Sequence, residues 1–203
     1  MFHGEIDSNT AKGLLELKER IEKANIPSSS LDETINIATW NIRDFGKSPR
    51  RKSSLHYIAE ILGQFDLISI TELRNNLSEL KEVMYILGPY WRVIFSDHIA
   101  DWGGNWERVA YLYDKRAVVH TGLAAEADSI RKKNQATGEY ISEFSWWRKP
   151  YIASFRAGSF DFVLITPHIR WGSGNKARIK PLQLLADWVE KRSKDEFGLD
   201  KAI

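Results

Sequence analysis

Two short, mainly apolar runs in the first third of the chain are each followed by a polar residue that can bind a cation. Residues 35–40 precede Asn41, and residues 65–71 precede Glu72. Runs of this length, rich in isoleucine and threonine, predict buried strands rather than helices. Because buried strands of this kind lie next to each other in a sheet, the pattern predicts an amide oxygen and a carboxylate at one sheet edge.

Apolar positions at helical spacing predict helices over residues 9–24, 53–62, 76–87 and 176–191. Asn9 or Thr10 is the predicted N-cap of the first helix, and the polar segment 27–30 is predicted to be a linker after it. In the last helix, the spacing predicts that the apolar residues face the core: Ile179, Leu182, Leu185, Ala186 and Val189.

Short or alternating apolar runs predict further strands over residues 91–95, 106–113, 117–119, 151–155 and 160–166. Ala157 and Gly158 lie between the last two strands and predict the turn of a hairpin. Residues 122–140 are polar, have no clear period and predict a mobile loop. Strand–helix alternation followed by a hairpin is typical of an α/β or α+β sandwich.

The composition is that of a globular protein and excludes several classes. The chain has 203 residues, 43% hydrophobic and 28% charged, which suits one domain with a sizeable core. It has no cysteine, which excludes disulfides and thiolate metal sites and suits a reducing cytosol. The first residues lack the basic and apolar regions of a signal peptide, and no apolar run approaches the roughly 20 residues of a membrane span. We therefore expect a cytoplasmic protein, with Trp40, Trp91 and Trp188 as the core tryptophans.

Five motifs in the chain resemble those of a known family. In chain order they are Asn41-Ile42-Arg43-Asp44-Phe45-Gly46, Thr71-Glu72-Leu73-Arg74, residues 107–113, residues 148–153 and Thr166-Pro167-His168. From residue 35 onward, the chain resembles the endonuclease/exonuclease/phosphatase superfamily, and within it the DNase I branch. Five motifs in family order are far more specific than one.

The resemblance implies an α+β fold, the DNase I-like four-layer α/β/β/α sandwich, in which two β-sheets pack between helices. Residues 31–203 would form this domain, and residues 1–30 would be an N-terminal helix and linker outside it. The residues alone support the broader class, because they show both alternating strands and amphipathic helices.

The resemblance also implies an active site. Asn41 and Glu72 would hold a Mg²⁺ ion, for which Mn²⁺ or Ca²⁺ can substitute, and both offer the oxygen ligands that Mg²⁺ prefers. His168 would contact the scissile phosphate, with Glu107 orienting its imidazole. Arg148 would clamp phosphate oxygens through its planar guanidinium.

Contacts to nucleic acid are expected from Arg43, Arg74, Asn105 and Arg170. The net charge is only +2, so a nucleic-acid partner depends on local patches such as the basic run that begins at Arg170. Asn105 belongs to a glycine-rich loop flanked by indoles, which could stack on bases. The ordinary alternative for each arginine is a solvated surface side chain.

The chain departs from the family pattern in several places. The Gly-Asp-x-Asn and Ser-Asp-His motifs that follow the histidine in the family do not lie after His168. Residues 96–98 read Ser-Asp-His but precede Glu107, and we interpret the match as a coincidence. Thr71 stands where the family has Gln. We therefore expect a domain truncated at its C-terminus, an incomplete second sheet, and self-association through exposed sheet surface.

The function that the resemblance implies is metal-dependent hydrolysis of phosphodiester bonds in nucleic acid, with DNA as the favoured substrate. The same scaffold hosts phosphatases and phosphodiesterases that act on inositol or lipid phosphates, so the substrate class stays open. A third alternative is a catalytically inert fragment that only binds nucleic acid, since the downstream Asp and His are missing.

Overall fold

A computed structural model describes residues 1–30, 33–100, 105–128, 131–142, 146–169, 174 and 176–194. Its helices are α1 (Ser8–Ala24), α2 (Lys52–Leu62), α3 (Ser78–Leu87) and α4 (Lys176–Ser193). Its strands are β1 (Ile37–Phe45), β2 (Leu67–Leu73), β3 (Trp91–Phe95), β4 (Ile99–Ala100), β5 (Trp106–Asp114), β6 (Val119–Glu126), β7 (Arg131–Lys133), β8 (Tyr140–Ser142), β9 (Tyr151–Ala157) and β10 (Phe160–Thr166). The chain is therefore α+β, as the sequence predicts.

The first sheet has the strand order β1-β2-β5-β3, with β4 paired to β5. Strands β1 and β2 are parallel, and their register sets Asn41 opposite Thr71. Strand β5 runs antiparallel to both β2 and β3. Because β1 and β2 are adjacent and point the same way, their C-terminal ends meet at one edge of the sheet.

The second sheet has the antiparallel order β10-β9-β6 and packs its inner face on the first sheet. The predicted hairpin joins β9 to β10, with Phe162 opposite Phe155. Side chains of β2, β5 and β9, with Val118 just before β6, form one core between the sheets: Leu67, Val109, Tyr111, Tyr113, Val118, Tyr151, Ala153 and Phe155. The rings of Tyr111 and Tyr151 stack 5.2 Å apart, so aromatic packing holds the two sheets together.

Helices α2 and α3 cover the opposite face of the first sheet. The inward positions of α2 are as the sequence predicts, and they are all buried: Leu55, Ile58, Ala59 and Leu62. They pack with Phe45, Ile68 and Leu112 from the sheet in a second core. Each fully buried side chain of this size stabilises the fold by about 1.5–3 kcal/mol, so this layer fixes the ends of β1 and β2.

Helix α4 lies beside the outer face of the second sheet, where Trp188 and Val189 share a cavity of about 340 Å³ with Leu123 and Ile152. The prediction that the apolar residues of α4 face the core is wrong, because Ile179, Leu182, Ala186 and Val189 are exposed. The helix contains Pro181 and rests on part of one sheet instead of a continuous core, so its apolar stripe is mostly uncovered.

The three tryptophans predicted for the core differ in burial. Trp91 is buried, whereas Trp40 and Trp188 are half-buried. Trp40 packs against the edge of the helix-covered core, and Trp188 lies over the outer face of the second sheet. Both lie at margins because their strand and helix are the outermost elements of their layers.

Three sequence-based boundaries need correction. The N-cap of α1 is Asp7, whose carboxylate accepts hydrogen bonds from the backbone N–H groups of Asn9 and Thr10. Strand β1 continues past Asn41 to Phe45. Residues 122–140 are not one loop, since they include the second half of β6, all of β7 and the first residue of β8. Residues 122–126 of β6 read Gly-Leu-Ala-Ala-Glu. Backbone pairing to β9 holds them in the strand, and their sequence shows no apolar alternation to detect.

None of the helices within the described residues is long and apolar enough to cross a membrane.

Candidate active site

The site begins where β1 and β2 end. The Asn41 side-chain amide donates a hydrogen bond to Glu72 Oε1 at 2.8 Å, and the backbone N–H of Asp44 donates to Glu72 Oε2 at 2.9 Å. Both Asp44 and Glu72 have left-handed backbones, with φ of 52° and 62°. Non-glycine residues seldom adopt this conformation, and it clusters at functional sites. Glu72 is thus held by an amide and a backbone donor.

The turn after β1 explains the Phe45-Gly46 part of the motif. Gly46 has φ of 88°, and a Cβ atom there would lie 2.1 Å from the carbonyl oxygen of Asn76. The Gly46 N–H donates to the buried Glu79 carboxylate at 3.1 Å, and Arg50 pairs with the same carboxylate at 2.8 Å. The sequence requires glycine here because the turn passes directly against the segment that leads into α3.

A buried carboxylate forms the second half of the site. The side chain of Glu107 is 6% exposed, and its Oε2 lies 3.0 Å from Arg148 Nη2 and 3.2 Å from His168 Nδ1. Its Oε1 lies 3.3 Å from Arg74 Nη2. A carboxylate this buried is stable only when cations and donors compensate its lost hydration. The two arginines and the imidazole supply that compensation.

The two halves meet at His168, whose Nε2 lies 3.8 Å from Glu72 Oε1. His168 follows β10 of the second sheet, whereas Glu72 belongs to β2 of the first sheet. Earlier in the same two segments, the buried hydroxyls of Ser69 and Thr166 are hydrogen-bonded at 2.8 Å and join β2 to β10. The site therefore lies at one end of the stacked sheets, between them.

Tyr111 makes a second link between the sheets that sequence reasoning missed. Its hydroxyl donates to the carbonyl oxygens of Tyr151 at 2.8 Å and Leu164 at 3.1 Å. Burial raises the pKa of this hydroxyl above its ordinary value, so Tyr111 stays a neutral donor. Tyr111 belongs to the motif of residues 107–113, but its pattern carries no sign of a partner 40 residues away.

Glu72 is ionised at neutral pH. Burial alone raises its pKa, but hydrogen bonds from the Asn41 side chain and the Asp44 backbone, with the nearby His168, bring the pKa below its ordinary value. Asp44 behaves similarly, since burial raises its pKa but the charges of Arg74 and Lys47 together bring it below its ordinary value. The site therefore presents fixed negative charge on Glu72, 3.8 Å from the His168 imidazole.

The residues expected to contact nucleic acid fall in different places. Arg74 is held inside the site, with Nε 3.1 Å from Asp44 Oδ1 and Nη1 3.4 Å from Asn105 Oδ1. Arg43 is exposed, and its carbonyl oxygen accepts from Arg50. Arg170 lies outside the described residues, as does most of the glycine-rich loop before Asn105.

The oxygen atoms that Glu72 and Asn41 can offer as ligands suit a hard divalent cation. Among the described residues, no group of three or more His, Cys, Asp or Glu side chains is arranged to hold a metal. Mg²⁺ does not need such a cage, because it commonly binds one or two protein oxygens and completes its shell with waters and substrate phosphate. The carboxylate of Glu72 and the amide oxygen of Asn41 fit this minimal type of site.

Comparisons with known proteins show similarity of fold. No protein-family model matches the chain, and no curated protein has a matching sequence. A solved structure of a conserved protein of unknown function from Enterococcus faecalis V583 superimposes with a TM-score of 0.53 at 15% identity, covering 77% of this chain and 61% of that one. An endonuclease/exonuclease/phosphatase family protein from Leptotrichia buccalis C-1013-b gives a TM-score of 0.46 at 11% identity, covering 74% and 61%.

The chain spans 61% of the length of each of these two proteins. The similarity to the Enterococcus protein shows a shared fold.

Proposed function

We propose that this site belongs to a metal-dependent phosphodiesterase that hydrolyses nucleic acid, with DNA as the substrate. The observation that carries the proposal is the convergence of Glu72, Glu107, Arg148 and His168 at one end of the stacked sheets, within contact distances of 3.0 to 3.8 Å. An anionic carboxylate, an imidazole and a guanidinium held together are the groups that binding and cleavage of a phosphodiester require.

His168 is the proposed phosphate-contacting catalytic residue. Its Nδ1 faces the buried Glu107, so its Nε2 is the nitrogen turned towards Glu72. A carboxylate at one imidazole nitrogen fixes the tautomer and orients the other nitrogen. His168 can then donate to a phosphoryl oxygen, while the guanidinium of Arg148 binds a second oxygen of the same phosphate.

Glu72 and Asn41 would hold Mg²⁺, with Mn²⁺ or Ca²⁺ as substitutes. The ionised Glu72 supplies the charge that attracts the cation, and its two hydrogen bonds fix the orientation of the carboxylate. Bound there, the metal would neutralise charge on the phosphate.

The layered arrangement supports the same assignment. Helices α2 and α3 cover one sheet, and α4 lies beside the outer face of the other. We infer a four-layer α/β/β/α sandwich from this order, with the site at the end where β1, β2 and β10 finish.

Nucleic acid is favoured over smaller phosphoesters by the side chains beside the site. Trp106 directly precedes Glu107 and is 46% exposed, and its indole offers a surface on which a base can stack. Arg43 is exposed on β1, two residues beyond Asn41, where it can contact a neighbouring phosphate. An inositol or lipid phosphate headgroup has no base to stack on this indole.

The substrate class can be tested with purified chain and labelled duplex DNA, single-stranded DNA and an inositol polyphosphate, each in Mg²⁺ and in chelator. We expect Mg²⁺-dependent cleavage of DNA, lost in His168→Ala, with Mg²⁺ affinity nearly unchanged by calorimetry because His168 contacts phosphate. His120→Ala, which changes a histidine of β6, is the matched control.

Each contrary result has a defined meaning. DNA binding without cleavage would identify the inert nucleic-acid binder, and cleavage of only the inositol phosphate would identify the second substrate class. Loss of Mg²⁺ affinity in His168→Ala would show that His168 is a metal ligand instead.

A further inference from the structure

Asp44 contacts both halves of the site, although no motif reasoning gave it a role. Its backbone N–H donates to Glu72 Oε2 at 2.9 Å, and its side-chain Oδ1 accepts from Arg74 Nε at 3.1 Å and from Arg74 Nη2. Arg74 in turn lies 3.3 Å from Glu107 Oε1. One residue thus links the carboxylate of Glu72 to the Glu107–His168 pair.

The guanidinium of Arg74 lies between two carboxylates. Its side chain is 12% exposed; Asp44 Oδ1 accepts from Nε and Nη2, and Glu107 Oε1 lies 3.3 Å from the same Nη2. Arginine donates through a planar fork of five N–H groups, and most of that capacity here is directed inward. A guanidinium held this way links the two carboxylates, and few of its N–H groups remain to donate to a substrate phosphate.

The bridge resolves an electrostatic conflict. Asp44, Glu72 and Glu107 place three carboxylates in one site, and like charges this close repel one another unless cations lie between them. Lys47 also lies near the Asp44 carboxylate, at 3.6 Å, but its side chain is 58% exposed and therefore solvent-screened. Arg74 is the buried cation that contacts both Asp44 and Glu107.

We propose that Asp44 is a positioning residue, whose backbone orients Glu72 and whose carboxylate keeps Arg74 turned inward against Glu107 and away from the substrate. This inference rests on the proposed hydrolysis. It has an unusual consequence: removing the Asp44 charge should release Arg74 towards the substrate, so binding of a polyanion should strengthen while turnover falls.

The key variant is Asp44→Asn. Asparagine tolerates the left-handed backbone and keeps the N–H that Glu72 accepts, so only the charge that holds Arg74 is lost. Asp44→Gly keeps the conformation without any side chain, and Asp44→Ala also disfavours the conformation. Comparing the three variants separates the side-chain role from the backbone role.

Asp161→Asn is the matched control. Asp161 pairs with Arg156 at 2.6 Å through the same kind of fork, so this variant removes one charge and releases one arginine elsewhere. Asp161 lies five residues before Thr166 on β10, about 16 Å along the strand, which puts it far from His168.

Two measurements do not depend on turnover. The first is the ¹⁵N–¹H resonance of Arg74 Nε–H, assigned with Arg74→Lys, which should be sharp and protected in the wild type and lost in Asp44→Asn. The second is DNA affinity in chelator against salt, where the log–log slope should steepen by about one in Asp44→Asn and stay unchanged in Asp161→Asn. Where turnover is measurable, Asp44→Asn should reduce it by about 10- to 100-fold.

A retained Arg74 resonance in Asp44→Asn, or DNA affinity that falls together with turnover, would overturn the positioning role. An unchanged slope would do the same. If the wild type cleaves no phosphodiester, the proposed hydrolysis fails by itself, and the resonance and the slope still decide what Asp44 does.

Discussion

Three residues at the site have left-handed backbones: Asp44, Gly46 and Glu72. Two of them are not glycine, so their strain is sustained by hydrogen bonds, with Asp44 N–H bound to the Glu72 carboxylate. Gly46 has a different reason, because a side chain would collide with the carbonyl oxygen of Asn76. The turn at the candidate site thus needs a glycine at position 46, whereas the left-handed backbones of Asp44 and Glu72 are stabilised by hydrogen bonds.

Gly46→Ala should therefore destabilise the protein by more than the conformational penalty. A left-handed alanine costs about 1–2 kcal/mol, and the 2.1 Å approach to Asn76 adds a steric term. Gly138→Ala is the control, since Gly138 has φ of 75° and open space around its Cβ position. Urea unfolding should show a clearly larger loss for Gly46→Ala, and equal losses would show that the turn can move aside.

At the scale of elements, the N-terminal segment fastens α2 to α3. The N–H of Phe2 donates to the carbonyl oxygen of Ile86 at 2.6 Å, and His3 contacts His56 at 3.0 Å and Glu60 at 2.9 Å. His56 and Glu60 are buried on α2. Burial, and then the neighbouring His3, lower the pKa of His56 below its ordinary 6.5.

The lowered pKa of His56 makes stability depend on pH. Above the ordinary value of 6.5, His56 is neutral in both the folded and unfolded states, and its contribution is constant. As the pH falls below that value, the unfolded chain takes up a proton before the folded one does, so stability is lost. Thermal unfolding should show a smaller decrease between pH 7.5 and pH 5.5 in His56→Gln than in wild type or His120→Gln. An unchanged decrease in His56→Gln would assign the pH dependence to other groups.

The elements that the sequence predicts well are those with apolar side chains that pack against a core. Residues 91–95 and 160–166 match β3 and β10 because their apolar runs face a core. The face of α4 and the segment 122–140 could not be predicted, since exposure in one case and backbone pairing in the other depend on distant partners.

The candidate site divides in the same way. The proximity of Asn41 and Glu72 follows from two apolar runs that end on polar residues, and parallel pairing brings their ends together. The bridge from Asp44 through Arg74 to Glu107 could not be predicted, because it depends on two left-handed backbones and on where β5 pairs. Neither feature leaves a periodic signal in the sequence.

At the scale of the whole molecule, the site exists only while the two sheets keep their relation. Glu72 and Asn41 come from the first sheet, and His168 follows the last strand of the second. The Ser69–Thr166 hydrogen bond and the hydrogen bonds of the Tyr111 hydroxyl are polar links between the sheets, in addition to the contacts of His168. We therefore expect that loss of these links changes the distance between Glu72 and His168 under conditions where the protein is still folded.

Tyr111→Phe should lower the free energy of unfolding by about 1–3 kcal/mol, since it leaves two buried carbonyl oxygens without their shared donor. Tyr113→Phe is the control, because within the described residues the Tyr113 hydroxyl has no hydrogen-bond partner, and its ring lies in the same core. Chemical denaturation should separate the two variants. Equal effects would show that Tyr111 acts through its ring alone.

The most direct measurement is the rate at which the purified chain cleaves labelled duplex DNA in Mg²⁺, compared between wild type and Glu72→Gln. Glu72→Gln keeps the size and one carbonyl oxygen but removes the charge that attracts the cation. We predict cleavage that a chelator stops and that Glu72→Gln reduces at least about a hundredfold, because the lost charge is that of a metal ligand. Glu19→Gln, on the exposed side of α1, should cleave like the wild type. Cleavage by Glu72→Gln at the wild-type rate in Mg²⁺ would contradict the assignment of this site.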